Sequence, residues 1–210
     1  MKKLNYKKDK IKVIKNSLDK DLIDFLYNYL LMKEEVLLRL LNEKYISPFE
    51  TGFGIIGDPQ VPDSGLCLYG DPVGDTILLR LQQVIEKQTK LKLIPTYSYS
   101  RNYRKGNELR RHTDRPSCAV SATLNVGGDP WPIFIEPSGK KDKKGKEIIL
   151  KPGDLLMYQG RTLEHWREPF KGEKCVQLFL HYTQDKNTNL LYDTRPYLGL
   201  PSFFKNEQDN

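Results

Sequence analysis

Residues 151–182 read KPGDLLMYQGRTLEHWREPFKGEKCVQLFLHY, and the fold turns on how this stretch is parsed. A Pro-Gly-Asp turn at 152–154 leads into the short apolar run LLMY, a turn-rich segment follows, and CVQLFLHYT (175–183) then runs on in β-type residues. Upstream the same grammar recurs in IPTYSYSRNY (94–103), CAVSATLNV (118–126), WPIFIEP (131–137) and EIILKP (147–152). Many short strands divided by turn residues predict a β sandwich or barrel from Leu91 onward.

The first ninety residues follow another rule. Between Leu18 and about Lys44, Leu22, Ile23, Leu26, Leu30, Val36, Leu37, Leu40 and Leu41 recur at helical spacing, with Ser17 as the expected N-cap. The Gly-, Pro- and Asp-rich stretch SPFETGFGIIGDPQVPDSGLCLYGDPVGD (47–75) reads as a long loop, a candidate lid or substrate wall. A further helix follows in DTILLRLQQVIEKQ (75–88), with Asp75 as its expected cap. Helices first and strands later give an α+β class, expected as one domain over 1–210: helical support and loop to 90, β core over 91–183, and a wrapping aromatic-rich tail over 184–210.

The chain carries a formal charge of +7, twelve tyrosines, eight phenylalanines and two tryptophans, so a packed core is expected under a solvated surface. The positive excess sits in MKKLNYKKDKIKVIK (1–15) and in SGKKDKKGKE (138–147). The second reads as a solvated hairpin tip, and the first leaves a basic arm touching nucleic acid as an alternative, against which stands the absence of aromatic-interleaved basic motifs. Cys67, Cys118 and Cys175 are odd in number and widely spaced, which signals neither a disulfide framework nor a zinc finger. No segment reads as a signal peptide or membrane span, and a cytoplasmic protein is expected.

Three histidines are present in all. One stands in ELRRHTDRPS, where His112 and Asp114 at i and i+2 share a face if the strand is regular. His165 lies beyond another β run. Two imidazoles and one carboxylate on one face of an ion leave the opposite coordination sites open, the arrangement non-heme Fe(II) oxygenases use. Taken alone, an H-x-D pair is equally a surface histidine beside an aspartate. His181 reads as a core histidine at the end of LFLHY, with a pocket wall as the alternative, and Trp166 is expected to pack in the core.

YRKGNELRRHTD (103–114), SATLNV (121–126) and residues 151–182 together make the chain resemble the 2-oxoglutarate- and Fe(II)-dependent dioxygenases, and within them the prolyl 4-hydroxylase-like group. The resemblance spans roughly residues 96 to 183 and implies a double-stranded β-helix, or jelly-roll, core braced by the N-terminal helices. It makes His112, Asp114 and His165 the iron ligands and sets Tyr103 toward bound 2-oxoglutarate. Lys174 becomes the first choice, and Arg167 the second, to receive that cosubstrate's far carboxylate. The implied reaction is hydroxylation of a C–H bond, foremost of a prolyl residue in a peptide or protein, using O2 and releasing succinate and CO2, with ascorbate a candidate accessory and a small-molecule substrate still open. Two other readings are a cupin-like metalloenzyme using another divalent metal without 2-oxoglutarate, and a non-enzymatic nucleic-acid-binding protein.

Overall fold

A computed structural model describes residues 5–141, 143–184 and 188–205. The chain opens with α1 (Tyr6–Asp9) and β1 (Ile11–Ile14), then α2 (Lys20–Asn42), β2 (Ile55–Asp58), β3 (Val61–Tyr69) and α3 (Pro72–Thr89). The β core follows: β4 (Ile94–Arg104), β5 (Leu109–His112), β6 (Val120–Gly128), β7 (Ile133–Ile135), β8 (Lys146–Ile148), β9 (Leu155–Tyr158), β10 (His165–Arg167) and β11 (Lys174–Thr183).

These strands form two antiparallel sheets, ordered β1-β9-β6-β11-β4-β3-β2 and β5-β10-β7-β8, the double-stranded β-helix expected from the sequence. Strand alternation divides the larger sheet cleanly. Residues such as Leu124, Leu178 and Leu180 turn outward and bury against Ile23, Leu26 and Leu30 of α2 and Leu78, Leu81 and Ile85 of α3. The other face looks toward the smaller sheet in cross-strand rows. One runs Tyr69, Tyr99, Phe179, Thr123, and a second Tyr97, His181, Ser121, Tyr158, Ile11. At ~25 cal/mol per Å2 of apolar surface removed from water, the helices are held by this outward face and not by their own propensity.

Several sequence expectations are corrected. The N-cap of α2 is Asp19, whose carboxylate accepts from Leu22 N at 2.9 Å; Ser17 lies two residues earlier and donates to Gly153 O. The N-cap of α3 is Asp71, followed by Pro72 at the first turn. Asp75 is buried instead, accepting from Ser98 N at 2.8 Å, Ser98 Oγ at 2.7 Å and Gly199 N at 2.7 Å. Both caps were shifted because more than one Asp or Ser stood at each helix start and composition could not rank them.

The stretch read as a long loop contains the hairpin of β2 and β3, whose turn is closed by Asp58 Oδ1 accepting from Gln60 N and Val61 N. Gly and Pro inside it masked the strand pattern, since Gly57 and Pro62 stand beside the turn, where the register shifts between Ile56 and Asp58. The basic N-terminus is no loose arm from Asn5 onward: β1 pairs along β9 from Ile11↔Tyr158 to Ile14↔Leu155. The lysine-rich segment joins β7 to β8 and is exposed at residues 138–141 and at Lys143 and Lys144, as expected for a hairpin tip. Trp166 sits on the outer side of the smaller sheet, stacked on Phe134 and under Arg111, not in the core.

The tail folds back against α3 and β4. Arg195 donates to Asp75, Thr96 O and Leu200 O, and just before it Tyr192, Asp193 and Thr194 take left-handed φ values of 54°, 56° and 68°. Among the described residues, no helix is long and apolar enough to cross a membrane. Cys67, Cys118 and Cys175 are all buried and unpaired.

Candidate metal centre and its cavity

His112 ends β5 and His165 begins β10, and the antiparallel register sets the two directly opposite each other, with ring centroids 4.2 Å apart. Each ring is aimed by its own backbone. His112 Nδ1 lies 2.7 Å from Arg110 O and His165 Nδ1 lies 3.0 Å from Leu163 O. A carbonyl only accepts, so both Nδ1 atoms carry the proton and both Nε2 atoms present lone pairs.

Those lone pairs meet Asp114, whose Oδ1 is 3.4 Å from His165 Nε2 and 3.6 Å from His112 Nε2. Strand alternation does not bring Asp114 there, because β5 stops at His112. Asp114 N instead donates to Gly160 O at 2.9 Å, and Ser121 Oγ donates to Oδ2 at 2.7 Å, leaving Oδ1 free. Burial alone would raise this carboxyl's pKa, yet His165, His181 and the Ser121 hydroxyl hold it well below the usual range. Burial, reinforced by His165, lowers the pKa of His112. One carboxylate and two imidazoles, with one donor atom from each within 4.8 Å of the others, fit a divalent ion bound on one face.

Two neighbours were not singled out from the sequence. Gly160 backs the carboxylate so closely that a Cβ there would lie 2.0 Å from Asp114 Oδ2. Gln60, from the β2–β3 turn, places its amide nitrogen 3.0 Å from His112 Nε2. The YQGRT glycine could have been suspected as a close approach, whereas nothing near Gln60 pointed to a site.

The three candidate ligands open onto a cavity of ≈ 740 Å3 between the sheets. Tyr103 is fully buried on its wall and accepts from Arg101 Nη1 at 3.0 Å. Arg101 also faces the cavity, but its charge is spent on Asp58, to which it is paired, with Gln60 Oε1 3.1 Å away. Burial pushes Asp58 up, and Arg101 and Tyr99 more than reverse it, so the pair is ionised.

Arg167 is different. It is 1% exposed, donates to Trp131 O and to Gln177 Oε1 at 3.4 Å, and among the described residues has no carboxylate partner. Its Nε is buried without any hydrogen bond. An unpaired guanidinium in a protein interior costs several kcal/mol, roughly, unless an anion completes it.

Lys174 does not join this group, contrary to expectation. It opens β11 opposite Arg104 with its side chain exposed, while Phe179 and His181 of that strand line the cavity and Cys175 and Gln177 share their strand face. One residue of strand parity decides the matter. His181 is the converse correction: it lines the cavity, and burial lowers its pKa to about 4.

The tail closes the far rim. Asp193 Oδ1 and Oδ2 accept from both terminal nitrogens of Arg115, at 3.0 and 2.7 Å, and Oδ2 also meets Lys205 Nζ at 2.6 Å and Tyr69 OH at 2.5 Å. Arg115 follows Asp114 directly, so the strap reaches the candidate metal centre through one peptide bond.

No protein-family model and no curated protein matches the sequence. Solved structures do match. A Pseudomonas putida prolyl-4-hydroxylase aligns with TM-score 0.55 at 19% identity, covering 86% of this chain and 95% of that one. HygX from Streptomyces hygroscopicus, solved with nickel and 2-oxoglutarate bound, aligns with TM-score 0.60 at 13% identity over 93% of both chains. The viral collagen prolyl hydroxylase of Paramecium Bursaria Chlorella virus-1, in complex with 2OG, gives TM-score 0.54 at 14% identity, covering 82% of this chain and 94% of that one. At such identities the likeness is one of fold.

Proposed function

We propose that this chain is a non-heme Fe(II)- and 2-oxoglutarate-dependent oxygenase that hydroxylates a C–H bond, foremost that of a prolyl residue in a peptide or protein. The observation that carries the reading is the convergence of His112, Asp114 and His165 at the mouth of a barrel whose interior holds the unpaired Arg167. That fold is shared with prolyl hydroxylases and with HygX, which supports the oxygenase class and leaves the prolyl substrate as the finer part of the proposal.

His112, Asp114 and His165 would hold the metal through Nε2, Oδ1 and Nε2. Bound iron, with 2-oxoglutarate and O2, would supply the oxidising equivalent for C–H hydroxylation as the cosubstrate becomes succinate and CO2. The chain's own part is placement and exclusion. Arg167 and the Tyr103 hydroxyl would receive the far carboxylate, since Arg101 is neutralised by Asp58 and Lys174 faces water. Ser121 holds Asp114 turned so that Oδ1 would face the ion, and the aromatic side chains of Tyr97, Tyr99 and Phe179 would shield the oxidised carbon from bulk water.

The test is anaerobic reconstitution with Fe(II) and 2-oxoglutarate, followed by air in the presence of ascorbate. A weak visible charge-transfer band and then succinate release are expected, both lost in Asp114→Ala. A protein that binds Fe(II) yet gives neither signal is no such oxygenase.

A further inference from the structure

His181 stands in the interior row between Tyr97 and Ser121, and its surroundings fix which edge of the ring carries the proton. Its Nδ1 is 3.1 Å from Ser121 Oγ. That hydroxyl has one proton and two acceptor-only neighbours, Asp114 Oδ2 at 2.7 Å and Cys118 O at 3.1 Å. With the proton committed there, the contact to His181 closes only if Nδ1–H donates to Oγ. Nε2, on the far edge, is therefore a lone pair. It has no hydrogen-bond partner among the described residues, on a side chain that is 8% exposed and lines the cavity.

The walls around that lone pair offer ring faces and little else. Tyr97 lies 4.6 Å from the imidazole centroid, Phe179 is nearly parallel at 6.5 Å, and Tyr69 stacks on Tyr97 at 4.7 Å. The tyrosine hydroxyls here are tied back: Tyr69 to Asp193 at 2.5 Å, Tyr99 to Asp58 at 2.5 Å, and Tyr97 against Cys118 Sγ at 3.0 Å. Both terminal nitrogens of Arg115 donate to Asp193, which turns two of its five N–H groups toward the tail.

A ligand entering this compartment meets apolar ring faces and one unfilled acceptor. A carboxylate or phosphate would set its own lone pairs against that of Nε2. A hydroxyl could donate to it, but its oxygen would be stranded beside rings that have no donor to spare. A secondary amide N–H can donate to it while its carbonyl, anti to the N–H, points away from Nε2.

Resting on the oxygenase reading above, we propose that His181 is the specificity-determining residue of the substrate compartment, accepting at Nε2 the hydrogen bond of a backbone amide N–H carried next to an apolar ring. The substrate is thus a polypeptide, recognised by the N–H adjoining the oxidised residue.

Two probes separate this from simple apolar stacking: N-acetylproline methylamide, which has that N–H, and N-acetylproline dimethylamide, which has the same ring and none. On the full chain loaded with Zn(II), imidazole 15N spectra should show Nδ1 protonated and Nε2 bare, and the methylamide should shift the Nε2 resonance. It should also bind about tenfold more tightly than the dimethylamide, the worth of one hydrogen bond. The preference should vanish in His181→Phe and return in part in His181→Gln, which restores an acceptor oxygen. The opposite tautomer, equal binding of the two probes, no response to either, or a preference that survives His181→Phe would each overturn the proposal. None of these readouts needs turnover, so failure of the charge-transfer and succinate signals would sink the oxygenase reading separately.

Discussion

Replacing Asp193 by Asn removes one buried charge while keeping shape, and the structure says what that charge holds. Asp193 is 2% exposed and binds Arg115 through two bonds, Lys205 and Tyr69. Charge-assisted hydrogen bonds are worth ~1.5–3 kcal/mol each in favourable settings, but the Arg115 and Lys205 side chains are 46% and 32% exposed and regain water when released. Discounting for that leaves a net loss of about 2–3 kcal/mol. The same cluster holds three left-handed residues at 192–194, strained by roughly 1–2 kcal/mol apiece, so part of the loss returns as the segment relaxes. For a domain of this size the outcome is a fall in Tm of about 4–12 °C.

The pH dependence carries the sign. Burial would raise the Asp193 pKa, but Arg115 and Lys205 hold it below the ordinary carboxylate value. Its stabilisation is therefore present above the unfolded-state value of ~3.9 and disappears as pH falls through the depressed folded-state value. Thermal melts of wild type and Asp193→Asn from neutral pH down to the acid limit read this directly, with hydrogen exchange over 188–205 as the local readout. A gap under about 1 °C at neutral pH, or one that does not narrow in acid, would refute the account.

Gly160→Ala should weaken Co(II) binding at least tenfold, because a Cβ 2.0 Å from Asp114 Oδ2 must displace the carboxylate; titration calorimetry measures it. Arg167→Met should raise the 2-oxoglutarate concentration needed for the charge-transfer band at least tenfold, whereas Lys174→Ala should leave it unchanged, since only the first is buried and unpaired. Ser121→Ala frees Oδ2 of Asp114, and the Co(II) absorption spectrum should change shape while the fold, read by circular dichroism, persists.

The sequence by itself determined the order of the architecture. The period near 3.6 through α2 and α3 and the β-type runs bounded by turn residues at β4, β6, β9 and β11 are local signals, and the structure keeps them as helices and strands. An H-x-D beside one strand and a lone His beyond another are legible as residue types, and the structure brings the three together. Only the tertiary structure decided what cross-strand register and close approach control. Lys174 missed the interior by one step of alternation, while Arg167 was left inside without a counter-charge. Asp114 reached its partners through Gly160 and Ser121, residues that touch it only because β6 and the turn after β9 are folded beside it. His181 became a cavity acceptor because Ser121, sixty positions away along the chain, had already given its proton elsewhere. Periodicity is written in neighbours along the chain, whereas hydrogen-bond direction and charge pairing depend on neighbours in space.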